Sequence, residues 1–204
     1  MERQAHWDAV YATKAPEAVS WYQADPALSL ELIARAGLRA GASVLDVGSG
    51  ATLLVDSLLE LGFRVTALDV SPRALEVLAA RLGERAAAVT FVAGDVTAAA
   101  LPAAAYDLWH DRAVLHFLTG EAERRAYVRQ LLRCLAPGGH ALIATFDLDG
   151  PVKCSGLDVR RYSPETLAEL LGPELQPLEV RREAHVTPAG ATQHFQYSLF
   201  RRAR

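Results

Sequence analysis

Five apolar runs of strand length recur along the chain: SVLDV (43–47), RVTALDV (64–70), VTFVAGD (89–95), YDLWH (106–110) and HALIATF (140–146). Their hydrophobicity is continuous rather than alternating, which predicts strands covered on both faces, as in a parallel sheet between helix layers. Three helices with shared punctuation are predicted. Asp25-Pro26 opens a segment closing at Gly37, Ser71-Pro72 one closing at Gly83, and Ser163-Pro164 one closing at Gly172. Asp or Ser accepts a free N–H, Pro fits the first helical position, and Gly takes the left-handed closing conformation. A fourth helix, from about Glu121 to Leu135, sets Tyr127, Val128, Leu131, Leu132 and Leu135 on one side, with Arg124, Arg125, Arg129 and Arg133 elsewhere. Another begins near Thr52.

Strand and helix alternate at the spacing of βαβ units. The predicted fold is therefore α/β, a doubly wound, Rossmann-like, mostly parallel sheet. The end departs from that pattern. LQPLEVRREAHVTP and TQHFQYSLFRR, split by Ala189-Gly190-Ala191, predict a C-terminal antiparallel hairpin on the sheet edge. One domain is expected over 1–204: a helical cap (1–40), a ligand-binding core (41–146), and a loop, helix and hairpin on the substrate side (147–204).

Composition narrows the function. Hydrophobic residues make up 51 % and charged ones 22 %, ordinary for a soluble globular chain, and the net charge of −3 lacks the basic footprint of a nucleic-acid binder. Arg201, Arg202 and Arg204 read as a solvated end. The first residues show no apolar leader, and no run approaches the ~20 residues that cross a bilayer, so no membrane contact and a cytoplasmic location are expected. Cys134 and Cys154 form no disulfide framework or zinc spacing, and no metal site is expected.

The stretch VLDVGSGATLL (44–54) carries the chemistry. In an open α/β sheet, ligands bind beyond the carboxyl ends of the strands. Gly48-Ser49-Gly50 lies there, and glycine lets a ligand approach the backbone. Asp69 ends the second strand, placed to accept from two ribose hydroxyls, and Asp95 ends the third, where an adenine would arrive. These residues describe a nucleoside cradle; the alternative is a tight turn with two ordinary surface carboxylates. A dinucleotide fingerprint requires a third glycine where Leu53 stands.

The pattern acid-x-Gly-x-Gly at Asp46, Gly48 and Gly50 resembles the class I S-adenosylmethionine-dependent methyltransferases, with Thr52 in place of a frequent third glycine. LRCLAPGGHALIATF is similar to that family's helix-turn-strand, and the likeness covers about 43–146. It implies S-adenosylmethionine as cofactor and S-adenosylhomocysteine as product. Asp46, Gly48, Ser49 and Gly50 would form the methionine-side loop, Asp69 with Val70 the ribose site, and Asp95 with Val96 the adenine site. A sulfonium carries no phosphate, and no Lys or Arg lies between Ser43 and Gly62.

Methyl transfer from a sulfonium mainly requires a positioned nucleophile and exclusion of water, with a base only for a proton of high pKa. His110, Asp111, Arg112 and, four residues on, His116 are the catalytic candidates, following Trp109 at the end of the fourth strand. The alternative is a buried ion pair with surface histidines. This stretch also resembles the Trp-Asp-Arg segment of thiopurine S-methyltransferases, a branch that includes tellurite- and thiol-methylating enzymes. Trp7, Tyr11, Trp21 and Tyr22 are substrate-side candidates, or else a packed cap. The loop 147–162 adds Cys154, Arg160, Arg161 and Tyr162, while His185, Gln193, His194 and Tyr197 lie on the hairpin. His6 and His140 are expected to be structural.

The expected activity is methyl transfer to a small molecule, with a thiol or other soft nucleophile as the acceptor, by in-line displacement. A protein lysine methyltransferase and a non-catalytic cofactor-binding protein are the alternatives, with a nicotinamide-dependent oxidoreductase behind them. The oligomeric state is not legible.

Overall fold

Ser71 shows why the punctuation works: its Oγ accepts from the Ala74 N–H at 3.2 Å, Pro72 follows, and Gly83 closes the helix at φ +59°. In the computed structural model, which describes residues 2–204, the elements run α1 (Glu2–Thr13), α2 (Ala27–Arg35), β1 (Ser43–Val47), α3 (Leu54–Glu60), β2 (Arg64–Asp69), α4 (Pro72–Leu82), β3 (Val89–Ala93), β4 (Tyr106–Arg112), α5 (Glu121–Cys134), β5 (Leu135–Phe146), β6 (Lys153–Cys154), β7 (Leu157–Asp158), α6 (Pro164–Leu171), β8 (Leu175–Val186) and β9 (Thr192–Arg202). Ser163 caps α6 as Ser71 caps α4, accepting from the Thr166 N–H.

Several boundaries differ from the sequence expectation. Pro26, not Asp25, holds the cap position of α2, and no side chain caps it. α3 starts at Leu54 because Thr52 Oγ1 accepts the Leu54 N–H at 3.1 Å, turning the chain before the helix begins. β3 stops at Ala93, so Asp95 stands in the loop beyond it. β4 runs on to Arg112, and Leu135 leaves α5 to begin β5.

The sheet has the order β3-β2-β1-β4-β5-β9-β8, parallel from β3 to β5 and antiparallel at β9 and β8. This is the doubly wound, mostly parallel sheet with a C-terminal hairpin and N-terminal helices. One core layer packs Leu32, Leu58, Leu78, Leu108, Leu142 and Tyr197; the opposite layer packs Leu45, Trp109, Tyr127, Leu131, Ile143 and Phe200. Continuous hydrophobicity in the strands is thus explained by cover on both sides. The strand order reverses between the parallel neighbours β1 and β4, which opens a crevice at their carboxyl ends. Among the described residues no helix is long and apolar enough to cross a membrane, and no group of three His, Cys, Asp or Glu is placed to hold a metal ion.

Candidate functional site

The turn after β1 is held by backbone. The N–H groups of Gly48 and Ser49 both donate to the Leu68 carbonyl, at 2.7 and 3.1 Å. Gly48 and Gly50 adopt φ +65° and +51°, angles that strain any residue with a Cβ. Space forbids a side chain as well: a Cβ at Gly48 would lie 2.1 Å from Val114 Cγ2, and one at Gly50 2.3 Å from the Tyr11 hydroxyl. Asp69 braces the same turn, Oδ2 accepting from Gly50 N–H at 2.9 Å and Oδ1 from Ser71 N–H at 2.8 Å. Burial pushes its carboxyl up to about 6, against the lowering by those two N–H groups.

α1 and the segment after it form a roof. Arg3 reaches Asp95 Oδ2 at 3.0 Å and Glu123 Oε1 at 2.5 Å, and Ser71 Oγ donates to Asp8 Oδ1 at 2.5 Å. Trp7 meets Trp21 and Phe117 edge to face at 5.3 and 5.2 Å. Under this roof lie two cavities with a common wall of Tyr11, Trp21, Val47, Gly48 and Arg112. The first also meets Asp69, Val70, Asp95, Val96, Val114 and Cys154. The second meets Tyr22, Ser29, Asp46, Ser49 and His110.

The end of β4 sorts its side chains by strand alternation. His110 and Arg112 face the cavities, whereas Asp111 points into the opposite layer. In register with Asp46 across β1 and β4, His110 places Nδ1 2.7 Å from Asp46 Oδ1; its Nε2 lies 3.0 Å from Ser29 Oγ. Arg112 donates from Nε to the Tyr197 hydroxyl at 2.8 Å and from Nη1 to the Trp21 carbonyl at 2.9 Å. The Tyr197 hydroxyl donates in turn to Glu183, which also accepts from Gln23.

Asp111 is fully buried and accepts from the Val114 N–H, the Leu115 N–H and the Tyr127 hydroxyl. It lines neither cavity; burial pushes its carboxyl up to about 6. His116 is enclosed between Phe117 and Phe146, and burial, helped by Arg112, pushes it down to about 3. Arg160 and Tyr162 also stay away from both cavities: the Arg160 guanidinium covers the Tyr162 ring at 5.5 Å. Cys154 does reach the first cavity, buried, its thiol pushed up to about 11.

The remaining candidates sort plainly. Trp7, Tyr11, Trp21 and Tyr22 meet the cavities, as do Asp46, Gly48, Ser49, Asp69, Val70, Asp95 and Val96, while Gly50 touches them only through Tyr11. Asp95 is engaged on both oxygens, by Thr97 and by Arg3. On the hairpin, His185 binds the Ser20 carbonyl, His194 pairs with Asp149, and Tyr197 supports Arg112. Sequence reasoning missed Arg3, Ser29, Val114, Phe117 and Glu183. Only Ser29 left a signal, a small hydroxyl between Leu28 and Leu30 near the start of a helix that buries it.

Residues 44–139 match the family model described as a methyltransferase domain. The chain is 34 % identical over 104 residues to Nodulation protein S of Rhizobium tropici, a match covering 51 % of this chain and 43 % of that protein. It spans less than half the length of the curated relatives it matches. A solved 1,6-didemethyltoxoflavin-N1-methyltransferase of Burkholderia thailandensis, with bound 1,6-didemethyltoxoflavin and S-adenosylhomocysteine, is 27 % identical, with a TM-score of 0.71, covering 100 % of this chain and 85 % of that one. A structure concerned with conversion of a disulfide bond into a thioacetal group during echinomycin biosynthesis superposes with a TM-score of 0.80 over 98 % of this chain and 92 % of that one. At 24 % identity it supports the fold.

Proposed function

We propose that this chain, whose residues 44–139 match the model of a methyltransferase domain, is a class I S-adenosylmethionine-dependent methyltransferase and transfers a methyl group to a small-molecule acceptor held beneath α1. The observation that carries this is the pair of adjoining cavities meeting at Gly48 under a roof of Trp7, Tyr11 and Trp21. A roof that shuts out water suits a reactive sulfonium and a small acceptor better than a polypeptide held on an open surface.

The residues fit the cofactor. Gly48 supplies close backbone approach, and the first cavity offers Asp69 for ribose hydroxyls with Val70, Val96 and Val114 for an apolar base. Asp46 and Asp69 lie on the side of a cationic sulfur, and the cations of the walls, Arg3 and Arg112, are already engaged by Asp95, Tyr197 and the Trp21 carbonyl rather than left for a pyrophosphate. When bound, S-adenosylmethionine supplies a methyl group already activated for displacement. The chain's own residues do the rest: Asp69 orients the nucleoside, Tyr11 and Trp21 exclude water, and Arg112, fixed by Tyr197 and the Trp21 carbonyl, sets the electrostatics where the cavities meet.

A thiol or other soft nucleophile is the acceptor that the short likeness around Trp109 to Arg112 suggests; Asp111 is turned away from the cavities, and burial pushes the Cys154 thiol up, so neither side chain adds support for that choice. The listening test is direct: the protein is incubated with S-adenosylmethionine and a panel of thiols, phenols, alcohols and amines, and S-adenosylhomocysteine is measured. Product with at least one small acceptor is expected. Transfer only to polypeptides, or no binding of S-adenosylhomocysteine by calorimetry, overturns the assignment.

A further inference from the structure

Strand order divides the lining of the first cavity in two. Asp69, at the end of β2, and Asp95, in the loop after β3, stand on one side of the Gly48 turn; Arg112, at the end of β4, and Cys154, on β6 after β5, stand on the other. A nucleoside laid over Asp69 and Asp95, its amino-acid part toward Asp46 and Ser49 in the second cavity, covers the ends of β1, β2 and β3. The half beyond β4 is left for another molecule, and Trp7, Trp21, Phe117, Cys154 and Arg112 wall it. Trp7 meets Trp21 and Phe117 edge to face, so these rings offer flat apolar surface on which a planar ring packs.

Arg112 is the one cation lining that half. Its side chain is 10 % exposed, and its guanidinium covers the Phe195 ring at 4.6 Å. The Tyr197 hydroxyl and the Trp21 carbonyl accept from Nε and Nη1. A guanidinium has more N–H groups than these two contacts use, and Nη2 is buried with no hydrogen-bond partner among the described residues. Glu183 Oε2 stands 3.8 Å from Nη2, beyond a hydrogen bond, and already accepts from Tyr197 and Gln23. A buried charged donor without an acceptor is costly, and a ligand oxygen at this wall would supply one. The charge is felt nearby: burial raises the Cys154 thiol and lowers His116, and Arg112 opposes the first effect and adds to the second.

We infer that the methyl acceptor is a planar aromatic molecule bearing a carboxylate, its ring seated among Trp7, Trp21 and Phe117 and its carboxylate received by Arg112. This names the acceptor class within the methyltransferase reading above and rests on it. One carboxylate fits the N–H groups that remain, whereas an ammonium at the same place is repelled by the guanidinium. Arg112 thus sets which acceptors enter, and Tyr197 and the Trp21 carbonyl position it.

The test is calorimetry on protein saturated with S-adenosylhomocysteine, using 2-naphthoate, 2-naphthylmethanol and 2-naphthylmethylammonium as probes. Wild type should bind the carboxylate at least about tenfold more tightly than the alcohol, and the ammonium most weakly. Arg112→Gln should remove most of that preference while affinity for the alcohol stays within a few fold. Arg112→Lys, which keeps the charge and loses the planar fork, should restore part of it. Phe117→Ala should weaken all three probes and leave their ranking intact. Circular dichroism reports on the fold of each variant, and the wild-type ranking decides whether or not the variants fold. Equal binding of carboxylate and alcohol by wild type, no binding of any probe, or a preference that survives in folded Arg112→Gln overturns the proposal. So does a loss of S-adenosylhomocysteine affinity in Arg112→Gln with that of 5′-methylthioadenosine unchanged, since the guanidinium would then hold the donor's own carboxylate. Failure of wild type to bind S-adenosylhomocysteine overturns the methyltransferase assignment instead.

Discussion

The Tyr11 hydroxyl occupies the place a Cβ of residue 50 would need, 2.3 Å from its ideal position, so the roof helix and the glycine turn are fitted to each other. Gly50→Ala therefore meets two obstacles. Its φ of +51° costs an alanine roughly 1–2 kcal/mol, and the new methyl drives Tyr11 outward. Thermal unfolding should record the first, and calorimetry at least a tenfold loss of S-adenosylhomocysteine affinity for the second. In the double variant Gly50→Ala/Tyr11→Phe, part of the affinity should return while the backbone penalty stays.

Asp69 gives the site a pH dependence with a definite sign. Its native value of about 6 exceeds the ordinary 3.8, burial being the main cause, with Asp46 and Asp8 adding to it. The stability that its protonation contributes is fully present below about 3.8 and is lost as pH rises through about 6. Ribose hydroxyls want the ionised form, so affinity for S-adenosylhomocysteine should climb between roughly pH 5 and 7. Asp69→Asn should weaken binding and flatten that climb. A steep climb surviving in Asp69→Asn would place the titrating group elsewhere.

Asp111 is expected to act on the fold alone. Tyr127 donates to Asp111 Oδ2 at 2.6 Å and accepts from Trp109 Nε1 at 2.9 Å, so Tyr127→Phe leaves two buried partners short. A loss of about 1–3 kcal/mol in chemical denaturation should result, with S-adenosylhomocysteine affinity unchanged. Unaltered stability with diminished turnover would return Asp111 to the chemistry.

Arg3 ties α1 to the core through Asp95 and Glu123, both partly solvent-screened. Such pairs are worth about 0.2–1 kcal/mol each. Arg3→Ala should accordingly speed release of S-adenosylhomocysteine about two- to tenfold, followed by stopped-flow fluorescence of Trp7 and Trp21. Slower release would mean that Arg3 holds the roof open.

The fold was legible because its signals are local. Ser71-Pro72 and Ser163-Pro164 start helices through contacts within one turn, and runs such as SVLDV report cover on both faces without any partner being known. The tight turn at Gly48 and Gly50, and the place of Asp69 at the end of β2, were legible for the same reason. What escaped depends on pairs far apart in sequence. Arg3 meets Asp95 across 92 positions, and Ser29 meets His110 across 81. The Trp109 to Arg112 stretch misled in one respect. Reading YDLWH as ending at His110 placed Asp111 beyond the strand, free to turn toward the ligand. β4 continues through it, and alternation sends its carboxylate to the opposite layer.

The two sides of the cavities differ in how they are secured. Asp46 and His110 belong to neighbouring central strands, where amide exchange is expected to be slowest, whereas Trp7 and Tyr11 ride on α1, held by the Arg3 and Asp8 contacts and by packing of Trp7 on Trp21 and Phe117. Warming would therefore release the helix as a separate cooperative unit while the strands stay paired. Retention of S-adenosylhomocysteine would be lost some degrees below the global melting transition, leaving a folded but open protein that recovers on cooling.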